Sequence, residues 1–148
     1  VYDGVFSFRM EKDHPRAIRS EANPLGLSSS VFARTGVLEH PPGILEYKFN
    51  LDCLIEELSA VKSPKSFEQI DLVVCWEAGK RWRRRYDLLD LTDDSHSGLR
   101  ELYGATGLLV RRGIEDDRGI HVIELKRVLE LISGRDEGGG AAEEDGEA

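Results

Sequence analysis

Gly43-Ile44-Leu45-Glu46-Tyr47-Lys48-Phe49-Asn50 runs directly into Leu51-Asp52-Cys53-Leu54-Ile55, and the change of period between the two stretches decides the fold. On an extended strand alternate side chains share a face, so Glu46 and Lys48 project together while Leu45, Tyr47 and Phe49 project the opposite way. After Asn50, a residue suited to capping a helix, Leu51, Leu54, Ile55, Leu58 and Val61 recur at the three- and four-residue spacing of one buried helical stripe. Ser63-Pro64 ends that stripe. Residues 70–76, Ile-Asp-Leu-Val-Val-Cys-Trp, are almost continuously apolar, the pattern of a strand covered on both faces, with Trp76 completing the core. Strand, helix and buried strand in this order predict an α/β layer joined by a right-handed crossover.

Outward from this unit, residues 1–9 read as a strand with Tyr2, Phe6 and Phe8 supplying β-favouring bulk, and Asp3 lies near its start. Residues 10–30 are polar and punctuated by Pro15, Pro24 and Gly26, which predicts a long loop with a short helix near 16–21. Residues 31–40 and 44–49 form two runs separated by Pro41-Pro42-Gly43, read as a turn between neighbouring strands. Further strands are expected at 86–91, 107–112 and 120–123, with a helical turn at 99–103. Leu125, Val128, Leu129 and Ile132 repeat with helical spacing up to a Gly134 cap. The result is one domain over 1–133 and an acidic, Gly-rich disordered tail or linker over 134–148.

A chain of 148 residues, 40% of them hydrophobic, is large enough for one core. It carries neither an apolar stretch of membrane-spanning length nor a signal segment, so a soluble protein without a membrane partner, intracellular and cytoplasmic, is expected. A first residue of Val1 suggests a domain of a larger multidomain protein, and a homodimer fits as well. Cys53 and Cys75 lie in apolar runs and read as packed thiols, with no disulfide framework. His14, His40, His96 and His121 lack the spacing of a zinc site. The net charge of -8 is uneven: six acids against one base over 134–148 leave the body at -3. A mildly acidic body still accommodates a local basic surface, so charge excludes no nucleic-acid function.

Two groups of residues carry candidate chemistry. Glu46 and Lys48 place a carboxylate and an amine on one strand face, and Asp3 offers a second carboxylate, with Glu39 as its substitute. Carboxylates hold hard divalent cations, and an ammonium balances charge growing on a phosphate. The plainer alternatives are a solvated ion pair for Glu46 and Lys48 and a turn-forming side chain for Asp3 beside Gly4. The second group is Lys80, Arg81, Arg83, Arg84 and Arg85 around Trp82, which either clamps phosphates while the indole stacks on a base or shields Trp82 and Tyr86 from water. Gly104-x-x-Gly107 lacks the remainder of a phosphate loop.

The order of a strand with Asp, a loop, a strand with Glu-x-Lys, a helix and an apolar strand resembles the PD-(D/E)XK nucleases, over residues 1–76. That resemblance implies a restriction endonuclease-like fold, a mixed central sheet flanked by helices, and hydrolysis of DNA phosphodiesters. It implies magnesium, with manganese as substitute, on Asp3 and Glu46, with Lys48 assisting the attacking water; DNA contact by residues 80–85 is read from the basic run itself. The chain departs from the pattern in having no Pro before Asp3 and a long gap between Asp3 and Glu46. A catalytically inactive domain of the same fold, serving as a nucleic-acid-binding or regulatory module, is the alternative expectation.

Overall fold

In the computed structural model, described for residues 2–32 and 35–136, six strands form one mixed sheet. The strands are β1 (Gly4–Glu11), β2 (Val37–Asn50), β3 (Leu72–Glu77), β4 (Tyr86–Asp90), β5 (Gly107–Arg111) and β6 (Ile120–Glu124). Two helices, α1 (Leu51–Ser59) and α2 (Leu125–Asp136), follow β2 and β6. The order across the sheet is β1-β2-β3-β6-β5-β4. β3 lies parallel to both β2 and β6, and the outer pairings are antiparallel. The central strands are those richest in apolar residues, as burial on two faces requires.

The alternation expected around Glu46 sorts the sheet into two faces. Val73, Cys75, Leu109, Ile120 and Val122 pack under Leu51, Leu54 and Ile55 of α1. Leu45, Leu72 and Leu108 face the other way, against Leu91, Leu102 and Ala105 from the segment between β4 and β5. Asn50 caps α1 as its residue type predicts, its side chain accepting from the Asp52 amide at 2.8 Å.

Several expectations are corrected. Pro41-Pro42-Gly43 is no turn: β2 is one 14-residue strand that runs through it. Phe6 pairs with Gly43 and Phe8 with His40, so two prolines face the single residue Ser7 in a β-bulge. A bulge tolerates residues without an N–H, and β3 does not reach this half of β2. Glu39 therefore lies on the same strand as Glu46, seven residues and roughly 23 Å away, not on an opposing arm. Helix α1 stops at Ser59, which leaves Val61 fully exposed. Trp76, near the end of β3, is 37% exposed, and Cys53 is exposed on α1. Burial raises the thiol pKa of Cys75 to about 12, so that cysteine is the packed thiol expected. The turn at 99–103 is replaced by a short 3-10 turn, Ser97–Leu99. Gly134 lies inside α2 instead of capping it, and the rest of the acidic tail, from Glu137, lies outside the described residues.

The segment before β2 contains no helix at 16–21, yet it is anchored. Ala17, Leu27 and Phe32 form a small buried cluster, and Arg100 fastens this segment to the body. Arg100 has no exposed surface. Its Nε donates to Ala105 O at 2.7 Å, Nη1 to Pro24 O at 2.9 Å and Gly26 O at 2.6 Å, and Nη2 to Leu91 O at 2.8 Å. Burial pulls the guanidinium pKa down to about 10, and four carbonyl dipoles stabilise the charge that remains. Arg100→Leu leaves those carbonyls without donors and is expected to cost about 3–5 kcal/mol in urea unfolding. Arg100→Lys, a point charge unable to span them, recovers only part of that loss.

His121 is buried beside this region, its Nε2 accepting the Glu101 amide at 3.1 Å. Burial holds its pKa down to about 4, against 6.5 for an unhindered imidazole. The folded state keeps the neutral ring while the unfolded chain takes up a proton. The contribution of His121 to stability is thus complete above pH 6.5 and lost as pH falls toward 4. Urea midpoints across that window are expected to drop in the native chain, and this slope flattens in His121→Gln.

Candidate functional site

Antiparallel pairing of β1 with β2 sets Gly4 opposite Leu45 and so brings Asp3 beside Glu46. The Asp3 amide donates to Glu46 Oε2 at 2.8 Å, and the Tyr47 amide donates to Asp3 Oδ2 at 2.8 Å. Asp3 is exposed, whereas Glu46 has no exposed surface. Glu46 and Lys48 share the face that looks toward α1. There Lys48 Nζ donates to Glu57 Oε1 at 2.8 Å, Lys65 Nζ donates to Glu57 Oε2 at 3.0 Å, and Lys65 also pairs with Glu46 Oε1. The four side chains form one alternating row, Glu46, Lys65, Glu57 and Lys48.

Asp3, Glu57 and Lys65 are each shifted by their neighbours. The Tyr47 amide keeps the Asp3 carboxyl below its ordinary range against the opposing effect of burial, and Lys48 and Lys65 add to this. Burial would raise Glu57, but hydrogen bonds from Lys48 and Lys65 outweigh it and the net direction is down. Burial would likewise lower Lys65, yet Glu46 and Glu57 push its ammonium well above the usual lysine range.

This arrangement bears on the expected metal. A divalent ion needs several oxygens pointing at one centre. Glu46 turns one oxygen to an amide and the other to an ammonium, and Asp3 commits Oδ2 to an amide. Among the described residues, no group of three or more His, Cys, Asp or Glu stands close enough to hold a metal ion. As arranged, the donor set does not fit magnesium or manganese, and the place of a cation between Glu46 and Glu57 is taken by the Lys65 ammonium.

The basic segment is built differently. Arg81–Arg84 forms a 3-10 turn at the N-terminal end of α1. Asp52 Oδ1 accepts the amides of Lys80 at 3.1 Å and Arg81 at 2.7 Å. Gly79 (φ +69°) lets the chain come this close, since a Cβ there would stand 2.4 Å from Asn50 Oδ1 and 2.5 Å from Asp52 Oδ2. On the far side, Arg112 Nη2 donates to Arg83 O at 2.9 Å and Tyr86 O at 3.0 Å. Trp82 packs partly buried against the core, gives its Nε1 proton to Gly79 O at 3.1 Å and carries the Arg83 guanidinium 5.3 Å from its ring centre. Shielding of the indole, the plainer of the two expected uses, is the one this geometry matches. Arg81 pairs with Glu56. Lys80, Arg83, Arg84 and Arg85 are exposed, and no carboxylate pairs with them among the described residues.

Sequence reasoning missed Lys65, Glu57 and Asp52. Glu57 and Asp52 lie on a helix where acids look like ordinary surface. Lys65 follows Ser63-Pro64 in a connection with no periodicity; the signal available was the need of a carboxylate on an inward strand face for a cation. The chain was compared with family models, curated proteins and solved structures, and nothing matches.

Lys65→Met leaves Glu46 buried without its counter-ion and is expected to lower stability by about 3–5 kcal/mol in chemical denaturation. Adding Glu46→Gln should restore a substantial part, and strict additivity of the two substitutions would refute the coupling.

Proposed function

We propose that this domain is a catalytically silent member of the restriction endonuclease-like fold, binding DNA through residues 80–85 as a module of a larger protein. The antiparallel β1 and β2, the helix and the parallel β3 support the fold reading, as does the adjacency of Asp3 and Glu46 across β1 and β2. One observation carries the functional reading. Lys80, Arg83, Arg84 and Arg85 stand exposed and unpaired among the described residues of a chain with net charge -8, on a backbone fixed by Asp52 and Arg112. Free cations on a rigid turn bind phosphates without the ordering cost of a mobile tail. The nuclease residues are already engaged: Glu46 is covered and paired with Lys65, and Lys48 is tied to Glu57.

The nuclease reading draws on one favourable feature, the adjacency of Asp3 and Glu46, and a single experiment separates the two. A fluorescent DNA duplex is titrated with the chain at several salt concentrations, and the same samples are incubated with magnesium or manganese and run on a gel. Binding is expected, with a log K against log salt slope of about -3 to -4 if all four cations meet phosphates. Arg84→Glu with Arg85→Glu should abolish most of it while the DNA stays intact throughout. Cleavage that depends on Glu46 would establish the nuclease instead, and unchanged affinity in the double variant would remove the basic turn from the account.

A further inference from the structure

The basic turn is not a flat stripe. In a 3-10 turn residues three apart eclipse one another, so Arg81 and Arg84 lie on one side. Together with Arg85 they form one wall of a concave cavity of ≈ 190 Å³, closed on the other side by Ile55, Glu56 and Ser59 of α1. The charges in this cavity can be counted. Arg81 is already paired with Glu56, while Arg84 and Arg85 have no carboxylate partner among the described residues. The cavity therefore presents two unspent positive charges and one neutralised pair.

From that count we infer that the cavity binds a phosphate monoester, the terminal phosphate of a nucleic-acid strand. This rests on the nucleic-acid reading above and specifies which phosphate the site prefers. An internal phosphodiester carries one negative charge and continues as chain in both directions. A monoester carries about -1.5 to -2 at neutral pH and offers three terminal oxygens. Two guanidiniums match a dianion in charge and in donors, since each can present two N–H groups to a phosphate. The Ser59 hydroxyl gives its proton to Ile55 O at 2.8 Å, so the donors to a phosphate here are those of the arginines. Trp82 is partly buried and does not line the cavity, so recognition there falls to the phosphate and not to the terminal base.

The test compares labelled oligonucleotides of one sequence carrying a 5′-phosphate, a 3′-phosphate or hydroxyls at both ends, titrated into the intact chain at fixed salt, with inorganic phosphate as competitor. A phosphorylated end is expected to bind about tenfold or more tighter than the hydroxyl form. Arg84→Met with Arg85→Met, both exposed positions, should erase that difference with the circular dichroism spectrum unchanged. Glu56→Gln, which releases Arg81, should tighten binding of all three oligonucleotides and preserve the preference for a phosphorylated end. Equal affinity for all three, with binding otherwise intact, overturns the monoester assignment and leaves the basic turn as a general phosphate contact. Absence of binding by every oligonucleotide removes the nucleic-acid reading itself and the inference with it. Competition by inorganic phosphate that also displaces the hydroxyl form would show that the cavity takes phosphate without regard to a strand end, and so counts against the assignment.

Discussion

A carboxylate without exposed surface needs polar partners brought to it on its sheet face, a cation among them, and Glu46 imposes that condition on the whole of one layer. Lys65 supplies the cation, and to do so the chain leaving α1 must fold back over the strand it has just left. Glu57 then balances the second positive charge that Lys48 brings to the same face. The α1 helix is held over the sheet by Leu51, Leu54 and Ile55 and also by this ionic row at its margin. Such rows define which arrangement is adopted more than they add to stability, because the cost of desolvation offsets much of the attraction.

The molecule keeps its two sets of cations apart by degree of use. Lys48, Lys65, Arg100 and Arg111 are committed to carboxylates or carbonyls within the fold. In the basic turn Arg81 pairs with Glu56, while Lys80, Arg84 and Arg85 have no carboxylate partner among the described residues on a main chain that Asp52 and Arg112 hold from opposite sides. The difference is one of geometry: a 3-10 turn three or four residues long satisfies its own amides poorly, so neighbours must bind its backbone, and its side chains are left to face outward.

What could be read in the linear chain was whatever repeats. The strand-to-helix switch at Asn50, the cap itself, the β5 and β6 strands and the α2 helix follow from spacing and appear where spacing puts them, although Leu125, Leu129 and Ile132 of its apolar stripe are exposed. The exposure of Val61, Cys53 and Trp76 did not, since periodicity tells which side a residue faces and not whether another element covers it. The ionic row was half legible. Glu46 and Lys48 share a face by alternation alone, but Lys65 reaches them only through a connection whose path is set by tertiary packing. The anchoring of the segment before β2 was likewise hidden, because the four carbonyls that hold Arg100 come from positions spread between Pro24 and Ala105.

The paired prolines of β2 acquire a meaning from where the sheet stops. β3 begins opposite Leu45, so the half of β2 that precedes it pairs with β1 on one side only. An open row of amides and carbonyls of this kind is a template on which a strand from another molecule can grow into an aggregate. Pro41 and Pro42 sit in that row and contribute no amide hydrogen, and the bulge they form opposite Ser7 disrupts the regular repeat a foreign strand would need. The residues that read most naturally as a turn act instead as a guard on the edge, keeping the longest strand of the sheet from recruiting a neighbour.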